Sequence, residues 1–252
     1  MLAYTLSVVA AVGVVALAAL LFRSGGEDRD PGGPSAGHAG AMLSALFLLV
    51  FAIAIIVPWT TADAARQNAR AESQSAVNAY WAADGLPGTA PEAVRAGLRD
   101  YVTFVVKDEW PLMGDGKMDP VGAARLDALR SRVMDLKTEG DAEQDARNSV
   151  LDHLTALADA RSQRAADAAA TPPGGLIVLT ALTGVAVIVF PFLAGARPRG
   201  ITLAPLVAMA AMLGFGVYLT WDMTHAFAGP LAVGPEAFEG ALREFSRIAG
   251  GM

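Results

Sequence analysis

Cysteine is absent from the 252 residues, which removes disulfides, thiolate metal sites and cysteine catalysis together. Lysine is nearly absent: Lys107, Lys117 and Lys137 are the only three among 19 cationic side chains, and arginine supplies the rest. Charged residues make up only 17% of the chain against 54% hydrophobic ones, and the mean hydropathy is +0.41. That balance excludes a disordered tail and argues against an ordinary soluble enzyme. The net charge of −6 comes without a basic stripe or interleaved aromatics, so no nucleic-acid partner is expected. Histidine occurs three times, at His38, His153 and His225, with no metal-ligand spacing. No Gly-rich phosphate loop follows a strand and no HExxH occurs, so neither an enzyme nor a cofactor or metal is expected. The abundance of Ala, Gly and Arg matches a GC-rich bacterial genome.

Long apolar runs are what the chain does have. Four blocks, at about 2–22, 41–58, 176–194 and 201–221, each hold enough apolar residues to cross a bilayer as a helix. The first has no basic stretch before it, which makes a cleaved signal peptide a poor reading. The second and fourth end at Trp59 and Trp221, residues suited to a membrane interface. Pro191 near the end of the third predicts a kink or a stop. Backbone groups in lipid must be satisfied within their own segment, so the blocks are expected to be helices in two hairpins. The linker at 23–40, rich in Gly, Pro and Asp, is expected to stay outside any packed element. The expected organisation is a first transmembrane hairpin at 1–60, a helical extramembrane domain at 61–174, a second hairpin at 175–224 and an amphipathic C-terminal helix at 225–252. The expected location is the bacterial plasma membrane, with several passes.

The polar insert reads as helix. From 60 to 84 it holds neither Pro nor Gly, which predicts that the second membrane helix continues beyond the bilayer. Thr89, Ala90, Pro91 and Glu92 have capping-box spacing, and Val94, Leu98, Tyr101, Val102 and Val105 form one apolar face of a helix that Pro111 is expected to close. Leu126, Leu129, Val133 and Leu136 mark another helix. Val150, Leu151, Leu154 and Leu157 mark a third, ending before Pro172 and Pro173. Phe238, Leu242, Phe245 and Ile248 give an amphipathic helix free either to lie on the membrane or to dock on the insert. Strand-like alternation is essentially missing, so the fold class is all-α.

Few residues stand out chemically. On the second span Phe47, Phe51 and Ile55 form a ridge at i, i+4 and i+8, opposite the small residues Ala41, Ala45 and Ala52. Such a ridge faces lipid or core in an isolated protein and lines a hydrophobic constriction in a ring. Periodicity does not choose between them. Arg66, Arg70 and Glu72 lie just beyond this span: a charged collar in an oligomer, or a solvated helix surface. Glu109, Trp110 and Pro111 read as a helix end with an aromatic anchor. Asp222 and His225, at i and i+3, are either a proton-sensitive gate pair or an ordinary helix end meeting water.

Short motifs between 59 and 130 then carry a resemblance. They are Ala65-Arg66-Gln67-Asn68 with Glu72, Leu86-Pro87, Leu98-Arg99-Asp100-Tyr101, Glu109-Trp110-Pro111 and Leu126-Asp127-Ala128-Leu129-Arg130. With the layout of spans and insert, the chain resembles the bestrophin-like domain family, bacterial membrane proteins distantly related to bestrophin channels. The resemblance implies a homo-oligomer, a pentamer by analogy, that passes ions, chiefly anions, along a pore lined by the second membrane helix. It makes Phe47, Phe51 and Ile55 the candidate neck, although they match no neck motif residue by residue. It carries over no calcium clasp. It also implies a cytosolic helical domain. Counting arginines near the membrane gives Arg23, Arg29, Arg197 and Arg199 in the short loops against Arg66, Arg70, Arg161 and Arg164 in the insert. The basic Arg197-Pro198-Arg199 tilts that balance toward short loops inside. Two functions are therefore expected as alternatives: an oligomeric ion channel or pore, or a non-conducting membrane scaffold or sensor whose helical domain binds a partner protein.

Overall fold

The computed structural model describes residues 2–21, 33–170, 174–195, 200–223, 225–229 and 232–251. Every regular element among them is helical, and no strand occurs. In chain order they are α1 (Leu2–Leu21), α2 (Gly33–Ala82), α3 (Ala90–Phe104), α4 (Trp110–Met113), α5 (Pro120–Met134), α6 (Asp141–Ala169), α7 (Gly174–Leu193), α8 (Ala204–Asp222) and α9 (Glu236–Gly250). Arg23, Arg29, Arg197 and Arg199, and the prolines 172 and 173, lie outside the described residues.

Two compact units result. The first comprises residues 1–59 and 171–224, and the second comprises 60–170 and 225–252. The tail expected to form its own domain thus shares a core with the insert. α2 supplies 50 residues, contributing to both units, and starts at Gly33 inside the linker expected to lack packed structure. The bare backbone of Gly40 lets the Phe190 ring approach, which rewards helix there. Neither Pro58 nor Pro191 ends its helix at once: α2 runs on to Ala82, and α7 stops two residues past its proline, at Leu193.

In the first unit, α1, α2, α7 and α8 contain four stretches long and apolar enough to cross a membrane. Little of each is buried within the chain, from 11% of the α1 window to 22% of those in α7 and α8. Water does not tolerate that much contiguous apolar surface. The core these helices do share is small, with Val15, Ala18, Ile188, Phe192 and Ala210 at its centre. α1 crosses α8 closely, because the Ser7 hydroxyl donates to the Gly214 carbonyl at 2.7 Å and a side chain on Gly214 would strike the Ser7 carbonyl. Small residues at such crossings let backbones approach where no hydrophobic driving force exists.

The second unit has a conventional core. Leu98 and Tyr101 of α3, with Val105 just past its end, meet Leu126, Leu129 and Val133 of α5, Val150, Leu154 and Leu157 of α6, and Phe238, Phe245 and Ile248 of α9. Phe245 stacks on Tyr80 of α2 with ring centroids 4.4 Å apart, so α9 docks on the insert. α3 starts at Ala90 with Pro91 in its first turn, yet Thr89 makes no side-chain cap. The left-handed Gly88 places Thr89 in a turn, and the Thr89 carbonyl instead takes the N–H of Ala93. Pro111 does not close α3. A single π-helical turn, Val105–Glu109, follows α3, and Pro111 falls in the first turn of α4, where a missing N–H costs nothing.

Candidate functional site

Two features collect the chemistry-bearing residues. The first is a buried ion cluster in the second unit. The buried faces of two helices lead into it: Ala65, Ala69, Glu72, Ala76 and Ala79 on α2, and Val150, Leu154, Leu157, Arg161, Arg164 and Ala168 on α6. Glu72 and the two arginines occupy positions where helical periodicity calls for apolar side chains, so they are carried inward. The π-helical turn supplies Glu109, fully buried beside them.

The geometry is closed. Arg164 donates Nε to Glu72 Oε2 at 2.6 Å, and Nη2 to Glu72 Oε1 at 3.0 Å and to Glu109 Oε2 at 2.9 Å. Arg161 grips both Glu109 oxygens at 2.5 Å and donates to the Asp119 carbonyl at 2.7 Å. The Tyr101 hydroxyl donates to Glu72 Oε1, and the Asp119 N–H to Glu109 Oε1. Trp110 and Phe238 present their faces to the Arg164 guanidinium at 5.5 and 5.4 Å. Two carboxylates and two guanidiniums cancel in charge. Burial opposes ionisation of Glu109, but hydrogen bonds from Arg161 and Arg164 outweigh it and hold its pKa below the ordinary carboxylate value. Burial, with Glu72 next to it, pushes the Tyr101 hydroxyl well above its usual pKa. The arginines, although desolvated, are held more firmly protonated by their carboxylates. Such a cluster fixes four helical segments against one another, since removing one member leaves its partner buried and uncompensated. Among the described residues no group of three His, Asp or Glu side chains could hold a metal ion.

The second feature is the pair of ridges on the apolar part of α2. Phe47 is buried and Phe51 half-buried; their rings stack with centroids 5.5 Å apart. Both pack on the chain's own helices, and Phe51 fills a notch that only a glycine leaves. A side chain on Gly184 of α7 would meet the Phe47 ring at 3.4 Å, and one on Gly216 of α8 would meet the Phe51 ring at 2.6 Å. Ile55 is half-buried on the same side. A neck around an axis between subunits needs side chains open on the single subunit, and Phe47 and Phe51 are committed to α7 and α8. Open instead are Met42, Leu46, Leu49 and Ile53, a ridge exposed by 44–76% and spaced by four, three and four residues, and beside it Leu48 and Ile56, exposed by 62% and 59%. Ala41, Ala45 and Ala52 are exposed as well. Within the second unit α2 exposes Thr60, Ala64, Gln67, Arg70, Ala71, Gln74 and Trp81, with the paired Asp63 and Arg66 side chains half-exposed beside Gln67 and Arg70.

Other expected site residues separate. Arg66 is half-exposed and lies 3.7 Å from Asp63, and Arg70 is exposed, but Glu72 is fully buried and is not a surface charge. Trp110 is not an interfacial anchor: it is a core residue that packs edge-on to Phe227 and Phe238 and donates Nε1 to the Val233 carbonyl at 3.2 Å. Asp222 accepts from the Tyr4 hydroxyl at 3.0 Å within the first unit, whereas His225 belongs to the second.

Helices throughout the described residues, four of them with a stretch long and apolar enough to cross a membrane, beside a separate helical unit, are the makeup of a helical membrane protein. The family model described as Bestrophin-like domain matches residues 6–238, nearly the whole chain, and the protein belongs to that family. Neither a curated protein nor a solved structure matches it.

Proposed function

We propose that the protein is an oligomeric ion channel of the plasma membrane, lined by α2 and built from a ring of copies, five if it follows bestrophin channels. Family membership supports the channel reading, and the open ridge of α2 is the observation that carries it here. In a ring, Met42, Leu46, Leu49 and Ile53 from each copy would make an apolar constriction that opens by wetting. Beyond it, Gln67 and Gln74 offer uncharged hydrogen-bonding groups to water, and Arg70 a ring of positive potential favouring anions. The charge cluster keeps the polar half of α2 fixed to α6.

The mass of the detergent-purified particle and flux from loaded liposomes test this together. Leu49→Ala with Ile53→Ala widens the constriction and raises flux, while Arg70→Glu lowers anion passage relative to cation passage. A monomeric particle that stays silent in the wild type and in both variants replaces the channel with the non-conducting scaffold.

A further inference from the structure

We propose that a groove between α2 and α9, inside the second unit, binds an uncharged carbohydrate. The groove holds about 300 Å³, at the small end of ligand sites and enough for one sugar ring. Trp81 walls it, Gln74, Asn78 and Glu244 line it, and Gly240 and Ala241 keep its floor low. A side chain on Gly240 would meet nothing nearer than Arg243 Nη2 at 3.8 Å, so the space above that backbone is open. The groove is also preformed. Phe245 of α9 stacks on Tyr80, the residue before Trp81, and fixes the two helices against each other along this edge. Arg247 of α9 lies 6.0 Å from the centre of the Trp81 ring.

Three features select the ligand. The first is charge: both Glu244 oxygens accept from Arg247, so the pair cancels and draws in neither a carboxylate nor an ammonium. The second is unused hydrogen-bonding capacity. Gln74 Nε2 donates to Asn78 Oδ1 at 3.0 Å, which leaves Gln74 Oε1 as an acceptor and the Asn78 amide N–H groups as donors, without partners among the described residues. A hydroxyl both donates and accepts, so a single class of group satisfies both amides. The third is Trp81, 47% exposed, an indole bordered by polar side chains. Indole combines a broad apolar face with a polar edge, which suits it to a half-wet contact. A sugar ring carries an apolar C–H face for the indole and a hydroxyl edge for the amides. Gln67, Gln74 and Trp81 recur every seven residues on one exposed face of α2. A bound sugar then sits on the wall of the path that the proposed channel offers. Binding is read without flux, so either proposal can fail alone.

The test uses the full chain in lipid nanodiscs, because maltoside and glucoside detergents are themselves sugars. D-glucose, D-galactose and N-acetylglucosamine are added one at a time, with adenosine as a stacking ligand of another class, and saturation-transfer NMR reads contact. Transfer to the ring protons of at least one sugar is expected, above that of empty nanodiscs. It is expected to persist in Trp81→Phe and to vanish in Trp81→Ala and in Gly240→Leu. Leucine there favours the helix while filling the floor, and unchanged circular dichroism shows that α9 is kept. Transfer from none of the three sugars overturns the proposal. So does transfer that survives both Trp81→Ala and Gly240→Leu, and so does transfer from adenosine alone.

Discussion

Arg164 shows what a single position can require of its surroundings. Its guanidinium has no exposed surface, two carboxylates for partners and a methionine sulfur, Met113 Sδ, 2.9 Å from Nη1. Removing it leaves Glu72 charged and desolvated, at a cost of ~3–5 kcal/mol. Arg164→Met is therefore expected to lower stability by that amount. The double variant with Glu72→Met is expected to lose clearly less than the two single losses summed, because neither charge is then stranded. Denaturation followed by tryptophan fluorescence reads this, since Trp110 lies against the cluster. Strict additivity would deny the coupling. This cluster was partly legible in the sequence: 150, 154, 157, 161, 164 and 168 keep one helical stripe, and arginine at two of its positions announces buried charge. The partners were not, because Glu72 and Glu109 lie 92 and 55 residues from Arg164 and no local rule pairs them.

At the scale of the element, α2 shows why periodicity alone does not choose between the faces of a helix. The hydrophobic pattern of a span identifies two apolar ridges, but only the neighbouring helices decide which ridge is filled. Gly184 and Gly216 are those neighbours, and each takes one phenylalanine. A glycine in a span reads as mere permissiveness until its aromatic partner is known. Gly216→Leu places a branched side chain where the Phe51 ring lies, and overpacking of that kind costs ~1–3 kcal/mol. Ile53→Ala, on the open ridge, is expected to stay within about 0.5 kcal/mol of the parent, as surface changes do. Melting of both variants in detergent separates the ridges: equal losses would remove the distinction between them. The helices themselves were legible throughout. Their ends were less so: Gly40 meets Phe190 and Glu109 of the π-helical turn meets Arg161 and Arg164, contacts made far along the chain, while the Thr89 turn is set by the left-handed Gly88 next to it.

For the whole molecule, the four long apolar helices and the helical insert follow from hydropathy, while the partition into units does not. The tail carries Ala226, Phe227, Val233, Phe238, Ala241, Phe245 and Ile248 into a core whose other members lie between 65 and 168. Deleting 236–252 is expected to leave the spans inserted and the insert loosened, with rapid cleavage by added protease between 60 and 170. A truncated chain as resistant as the full one would mean that α9 is dispensable to the core.

That shared core also imposes an order of events during synthesis. Tyr80 leaves the ribosome long before Phe245, the ring it stacks on, and α7 and α8 are made in between. At about 5–20 residues per second, the half-built unit waits on the order of ten seconds or more with apolar side chains uncovered. The last helix is in this sense a closing piece, and the vulnerable interval of the protein's life comes before it arrives.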